Sequence, residues 1–452
     1  MSAAVHSNPS WTERPGRELL RLAWPITVSM LSFSTMTLAS TAFVAQIGAD
    51  ELAGVGLAAV IGFALVCFGI GLLRGAKTLV SQAVGAGRRD KIPALVGAAV
   101  VLGLGLGVVA LVAGQLIAPL IGSLSASPRA GAFASQYLAI RSLGAPLVLL
   151  YAALREASYG EGNSRDPMRA ALAGNAVNIA CDAVFILGLD WGVGGAALAT
   201  ILGNVTELSV LAWPMRARLR KLVVHGRAIR EVWAQGVPNG VQFIMEVGAF
   251  LILTVLVARM SALDGAAHHL VLHLVNVSFL PAHALAEAAA VLVGQAVGAG
   301  KDALVPKVAH RALALGAGYA TACLVAYAIL GGTIANAMSG GDVALAARST
   351  TLVHVSLAFL VADAANVIAR GVLRGASDVR YAAVLGIATA WLTTPPLTWL
   401  LGVHWGMGAV GGWIGLALEI VVGASLYWLR VYRGGWRPAA AAARRAMAGA
   451  AV

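Results

Sequence analysis

Twelve long apolar stretches dominate the chain, at about 22–46, 54–80, 93–120, 133–154, 170–189, 194–213, 232–258, 267–293, 308–334, 350–369, 381–402 and 407–429. A helix of about 20 apolar residues crosses the hydrocarbon core of a bilayer, and helices satisfy their own backbone groups there. The other spanning structure, a β-barrel, needs short alternating segments, which these unbroken runs are not. The chain therefore reads as an all-α polytopic membrane protein with twelve transmembrane helices. Of its 452 residues, 59% are hydrophobic and 12% charged, against about 25% charged in a soluble domain. That leaves too little polar surface to cover a soluble enzyme, and it also excludes a disordered chain and a disulfide-stapled secreted domain. Cys67, Cys181 and Cys323 are odd in number and each lies in an apolar stretch, which argues against disulfides and against a metal site. The polar run to Glu18 enters an apolar segment with no small-residue cleavage pattern, as an uncleaved first span does.

The formal charge of +12 would suggest nucleic acid in a soluble protein. Its distribution assigns it to membrane topology instead. Twenty-six of the 32 Lys and Arg residues fall in groups on the N-terminal side of the membrane: Arg14–Arg21, Arg88–Lys91, Arg155–Arg169, Arg216–Arg230, Lys301–Arg311, Arg370–Arg380 and Arg430–Arg445. The opposite loops hold Arg129, Arg259 and Arg348, while Arg74, Lys77 and Arg141 fall within spans. The positive-inside rule then places both termini and the central loop in the cytoplasm. Trp191 and Trp405 fit the outer interface, and Trp213, Trp233 and Trp428 the inner one.

The two halves of the sequence resemble each other at an offset of 213. Val80–Gly87 reads VSQAVGAG and Val293–Gly300 reads VGQAVGAG. The same offset aligns Pro25 with Pro238, Gly162 with Gly375 and Ser164 with Ser377; one residue later, Trp191-Gly192-Val193-Gly194 aligns with Trp405-Gly406-Met407-Gly408. Six spans per half make the halves parallel repeats, expected as two bundles around a central cleft, an arrangement suited to alternating access. The expected divisions are an N-lobe over 1–215, a cytoplasmic linker over 216–231, a C-lobe over 232–432 and a basic cytoplasmic tail over 433–452.

On these motifs the chain resembles the multidrug and toxic compound extrusion (MATE) family, in its bacterial NorM-like branch. The resemblance covers nearly the whole chain. It includes the paired VxQAVGAG segments, the stretch Thr37–Ala45, Asn178-x-x-x-Asp182 followed by Gly192–Thr200, Glu246, and Asp363 with Arg370-Gly371-x-x-Arg374-Gly375. It implies two six-helix lobes and export of amphipathic, often cationic compounds, driven by inward flow of Na⁺ or H⁺. One departure stands out: Ser40 occupies the place of the first-span Asp usual in the family.

Acids inside spans cost at least about 2.5 kcal/mol on insertion scales and mark functional sites by default. Asp182, Glu207, Glu246, Glu287, Asp363 and Glu419 are such acids. Asn175, Asn178 and Asp182, at i, i+3 and i+7, share a helix face. They can offer oxygens to a hard cation or glue two helices together. The resemblance implies a cation role for Asn178, Asp182 and Thr200, with Ser40 beside them. It also implies that Glu246 and Asp363 are the C-lobe coupling acids. Gln242 lies four residues before Glu246 and Asn366 three after Asp363, so each acid has an amide on its own face. Glu207 and Glu419 read as packing or cavity-lining acids, and His268, His269, His273 and His283 as structural or interfacial rather than metal-binding. Met30, Met36, Met245 and Gln242 are candidates for an adaptable substrate cavity. Arg74 and Glu287, equivalent by the repeat, are expected to form a charge pair that gates the cleft.

Other function classes find little support. No metalloprotease, nucleotide-loop or serine-hydrolase motif occurs, so the chain is not expected to be an enzyme. The leading expectation is a secondary antiporter for drugs; the alternative is a lipid-linked or polar-metabolite flippase or exporter. The expected partners are a small-molecule substrate and the bilayer, without nucleic acid, metal or any cofactor beyond the coupling ion, and the expected state is a monomer.

Overall fold

A computed structural model describes residues 11–125 and 127–449; the start of the N-terminal tail, Ala126 and the last three residues of the basic tail lie outside the described residues. All regular structure among the described residues is helical. The first half of the chain forms α1 (Pro15–Ala45), α2 (Ala49–Gly85), α3 (Ile92–Ile121), α4 (Pro128–Ser142), α5 (Ala145–Gly160), α6 (Arg165–Asp182) and α7 (Gly192–Leu219). The second half forms α8 (Gly226–Met260), α9 (Ala262–Gly298), α10 (Leu304–Met338), α11 (Val343–Leu357), α12 (Leu360–Gly375), α13 (Val379–Leu397), α14 (Ala409–Tyr432) and the short tail helix α15 (Arg437–Ala448). Among the described residues, ten helices are long and apolar enough to cross a membrane alone. Two bent pairs, α4–α5 (48°) and α11–α12 (51°), bring the number to twelve if each pair is one span. Leu116, Ile329 and Leu392 are 67%, 72% and 75% exposed, an arrangement tolerable only where the solvent is lipid.

The repeat is visible in the breaks as well as in the helices. α4 and α11 begin 215 residues apart, as do α5 and α12. The pairing of Gly162 with Gly375 at an offset of 213 is therefore two residues out of register. α5 ends at Gly160 and α12 at Gly375, and the left-handed residue that follows is Gly162 (φ +84°) in one case and Ser377 (φ +62°) in the other. Both halves also carry a π-helical turn at the same place, Ala183–Gly188 after α6 and Thr398–His404 after α13. Such turns are rare and concentrate at functional sites.

The chain divides into two compact units. The first comprises Pro25–Val80 and Arg88–Val241. Its core gathers Val44, Ala58, Ile121, Tyr137, Leu138 and Ile186, with a second cluster around Tyr151, Ala157 and Leu211. The second unit comprises the described residues up to Trp24, Ser81–Gly87, and those from Gln242 onward; Leu253, Val257, Leu352, Phe359 and Trp413 form one of its cores. His268 is fully buried there. It accepts from Trp413 Nε1 at Nδ1 (3.0 Å) and lies 3.2 Å from Thr254 Oγ1, which makes it structural. Trp428, expected at the inner interface, is only 8% exposed and donates its indole N–H to the Ala365 carbonyl (3.0 Å).

Two of the three arginines on the sparsely charged side have acidic partners. In the first unit Arg129 lies 3.8 Å from Asp50, and in the second Arg348 binds Asp264 at 2.5 Å. Both acids sit in the first turn of their helices, where the macrodipole favours negative charge.

Helix α12 lies against α9 through small residues. A Cβ at Gly371 would strike the Ala286 carbonyl, and one at Gly375 would strike that of Ala290. In lipid this close approach supplies the packing that holds helices together. Gly371→Val should cost roughly 1–3 kcal/mol and lower the melting temperature of the detergent-solubilised protein by several degrees. Gly318→Val, in α10 with nothing near its Cβ position, should leave it unchanged. Thermal unfolding of the two variants side by side checks this.

Candidate functional site

In the first unit, α1, α6 and α7 bring Ser40, Asn178, Asp182 and Thr200 together. Asp182 is completely buried at the last turn of α6, immediately before the π-helical turn. Ser40 Oγ donates to its Oδ2. The Asn178 amide is best satisfied with its nitrogen 3.2 Å from Asp182 Oδ2 and 3.0 Å from Ser40 Oγ, and its oxygen accepting from the Thr200 N–H at 3.1 Å. The Thr200 hydroxyl donates to the Ala196 carbonyl (3.0 Å), and Asn175 Nδ2 donates to Ser32 Oγ (2.8 Å). Asp182 Oδ1 is buried with no hydrogen-bond partner among the described residues. The four residues thus form one polar centre, closed around the carboxylate by neutral donors.

In the second unit the charges meet directly. Glu246 on α8 accepts from Gln242 Nε2 (2.8 Å) and pairs with Arg370 Nη2 of α12 (2.9 Å). Gln242, fully buried, accepts in turn from Arg374 Nη2 (3.2 Å). Arg370 also acts electrostatically on Asp363 and Glu419. Glu419 of α14 accepts from the Thr394 hydroxyl of α13. Gly386 of α13 makes the approach possible: a Cβ there would lie 2.7 Å from Glu246 Oε1 and 2.8 Å from the Tyr427 hydroxyl. Asp363 stands in the first turn of α12, a position created by the break at Phe359. No side chain among the described residues hydrogen-bonds its carboxylate. It borders a cavity of about 10 Å³ with Ser278, Phe279 and Leu360, room for roughly one water. Asn366, expected to serve Asp363, instead donates to the Ile420 carbonyl of α14 (3.1 Å), a helix that packs against α12.

Arg155, Arg370 and Arg374, expected with the basic groups outside the spans, lie on α5 and α12, where each meets a polar or acidic partner within its unit. Arg155 and Arg370 are 215 residues apart, so they occupy equivalent places in the repeat. Arg155 pairs with Glu156 (2.9 Å), which is 2% exposed and also faces Lys77 at 3.4 Å. Glu156 was missed because it lies beyond the apolar window. Asp363, Arg370 and Arg374, at i, i+7 and i+11 on one helix face, were the signal available for the other two.

The remaining candidates are spread out. Arg74 lies on α2 in the first unit, close enough to Glu156 for their charges to interact. Glu287 lies on α9 in the second, 7% exposed, with His283 Nε2 at 3.5 Å. Met30 and Met36 are half-buried on α1, and Met245 is half-buried on α8 with its carbonyl accepting from Trp391 Nε1 (3.0 Å). Glu207, on α7, packs over Gly174.

Known proteins share this architecture. The family model MatE matches residues 25–184 and 238–400. The "Probable multidrug resistance protein NorM" of Bradyrhizobium diazoefficiens is 32% identical over 438 residues, covering 91% of this chain and 92% of that protein. The "Multidrug resistance protein MdtK" of Edwardsiella ictaluri is 27% identical, covering 92% and 95%. Among solved structures, the VcmN transporter of Vibrio cholerae superposes with a TM-score of 0.87 at 19% identity, covering 95% of this chain and 99% of that one. A MOP-superfamily transporter from Pyrococcus furiosus gives 0.86 at 21%, covering 96% and 98%. With twelve possible spans in two repeats and a family match across both of them, the chain belongs to the MatE family of membrane transporters.

Proposed function

We propose that the protein is a secondary antiporter that exports amphipathic, cationic compounds by alternating access, driven by Na⁺ or H⁺ moving inward. The two repeats act as lobes, over 1–215 and 232–432, with the termini in the cytoplasm. The names of the relatives, multidrug resistance proteins, support the drug class. The observation that carries the reading is the centre around Glu246 and Asp363. Glu246 is neutralised by Arg370, whereas Asp363 has no hydrogen-bonded partner and borders a cavity. A buried carboxylate in a membrane with no hydrogen bond to hold its charge binds a small cation or a proton reversibly. A coupling ion taken up there changes the net charge of the cluster, and a cationic substrate would compete for that charge.

The centre around Ser40, Asn178, Asp182 and Thr200 plays a lesser part. The hydroxyl of Ser40 supplies a hydrogen bond where an acid would supply charge, so this centre lacks the second carboxylate that would favour a cation. Met30, Met36, Met245 and Gln242 contribute to the substrate cleft. The Arg74–Glu287 pair links the lobes in one state of the cycle.

Efflux from proteoliposomes with Na⁺ and pH gradients imposed separately identifies the driving ion. Glu246→Gln and Asp363→Asn should each lower gradient-driven efflux by roughly 5- to 150-fold, the range of typical coupling free energies. Full efflux in both variants sinks the assignment. Asp182→Asn should cost less than either, within about fivefold; complete loss would move the coupling site to the first repeat. The combined swap Arg74→Glu with Glu287→Arg should restore part of the transport that each single reversal removes. A double variant no better than the singles eliminates the gate.

A further inference from the structure

The repeated motif in the second unit holds a contact that neither coupling nor substrate binding uses. Gln82 and Gln295 occupy the same place in the two copies of VxQAVGAG. Three residues after each comes a glycine, Gly85 or Gly298. A Cβ on Gly85 would strike the backbone of Gln295, and one on Gly298 would strike the backbone of Gln82. The contact is reciprocal, so the ends of α2 and α9 cross backbone to backbone where the repeat-related residues meet.

The glutamine side chains make different bonds. Gln82 Nε2 donates to the Gly375 carbonyl (3.2 Å) and to Ser377 Oγ (2.8 Å) at the end of α12. Ser377 is held at φ +62°, a conformation few residues other than glycine adopt freely. The residue equivalent to Ser377 in the first repeat is Gly162, which has no hydroxyl to offer. Gln295 Oε1 instead accepts from the indole N–H of Trp11 at 2.7 Å, with Trp11 6% and Gln295 8% exposed. The N-terminal segment thus supplies the bond that the first repeat lacks.

Of α2, only the last turn from Ser81 to Gly85 belongs to this unit; the rest of the helix belongs to the other. The boundary between the units thus runs through α2, between Val80 and Ser81. The bonds are suited to being made and broken. Amide and indole hydrogen bonds exchange for water at little net cost. Gln82 Oε1 is buried without a partner among the described residues, so opening would hydrate a group that closure leaves unsatisfied.

We propose that Gln82, Gln295 and Trp11 form a latch that holds the cytoplasmic ends of α2, α9 and α12 together and opens once per transport cycle, with Trp11 as its removable bolt. The proposal rests on alternating access, but it makes no use of the coupling acids.

The test is thiol accessibility without gradient or substrate. Cys67, Cys181 and Cys323 are replaced by Ala, and a single cysteine is placed at Ala83, which is fully buried beside the latch. Inside-out vesicles are treated with a membrane-impermeant maleimide. Trp11→Phe, which removes one hydrogen bond from the closed state only, should raise the labelling rate roughly three- to tenfold, and Gln82→Leu, which removes two, by at least as much. Trp11→Phe keeps the ring and decides the matter if Gln82→Leu fails to insert. Unchanged rates in the variants that insert overturn the latch. A rise with Gln82→Leu but not with Trp11→Phe overturns the bolt. Failure of the antiport reading would appear separately, as full efflux in Glu246→Gln and Asp363→Asn while the latch variants still label faster.

Discussion

A charge in hydrocarbon must find another charge, and much of the interior of this protein follows from that requirement. Placing an ion at the centre of a membrane helix costs at least about 2.5–3.5 kcal/mol, and removing one member of a buried pair costs roughly 3–5 kcal/mol. Arg370 therefore lies against Glu246, and Arg155 and Lys77 against Glu156. The pairs are structural necessities before they are functional devices. Among the described residues no side chain hydrogen-bonds the Asp363 carboxylate, and the Asp182 carboxylate is met only by neutral donors.

These pairs could not form without small residues. Gly371 and Gly375 let α12 approach α9, and Gly386 leaves room for Glu246 and Tyr427 beside α13. Packing of this kind works only where backbones nearly touch, because lipid supplies no hydrophobic force between helices. The glycines and the ion pairs are thus one design: the first set the distances, and the second use them.

The repeat shows how one helix plan carries different chemistry. Arg155 and Arg370 hold equivalent places, yet one takes its neighbour Glu156 and the other reaches to α8. Gln82 and Gln295 are equivalent too, yet one binds the end of α12 and the other the N-terminal segment. Duplication fixed the backbone path. Local substitutions, such as Ser377 where the first repeat has Gly162, then changed which bonds could be made.

Much of the fold was legible in the sequence because its causes are local. Twenty apolar residues in a row specify a span wherever they stand, and matching segments in order specify a repeat. The polar centres were partly legible: Asn178 and Asp182 share a face by spacing alone, as do Gln242 and Glu246. The partners of those groups were not. Whether Asn366 would serve Asp363 or the Ile420 carbonyl, and whether Arg370 belonged to a loop or to Glu246, depended on how α12 lies against α8 and α14. The two-residue shift of register between the repeats was hidden for the same reason, since it is set by where α4 and α11 begin. Sequence determined which groups had to be satisfied; only the packing of distant helices decided by what, because hydrogen bonds and ion pairs are short-ranged and their partners lie up to 295 residues away along the chain.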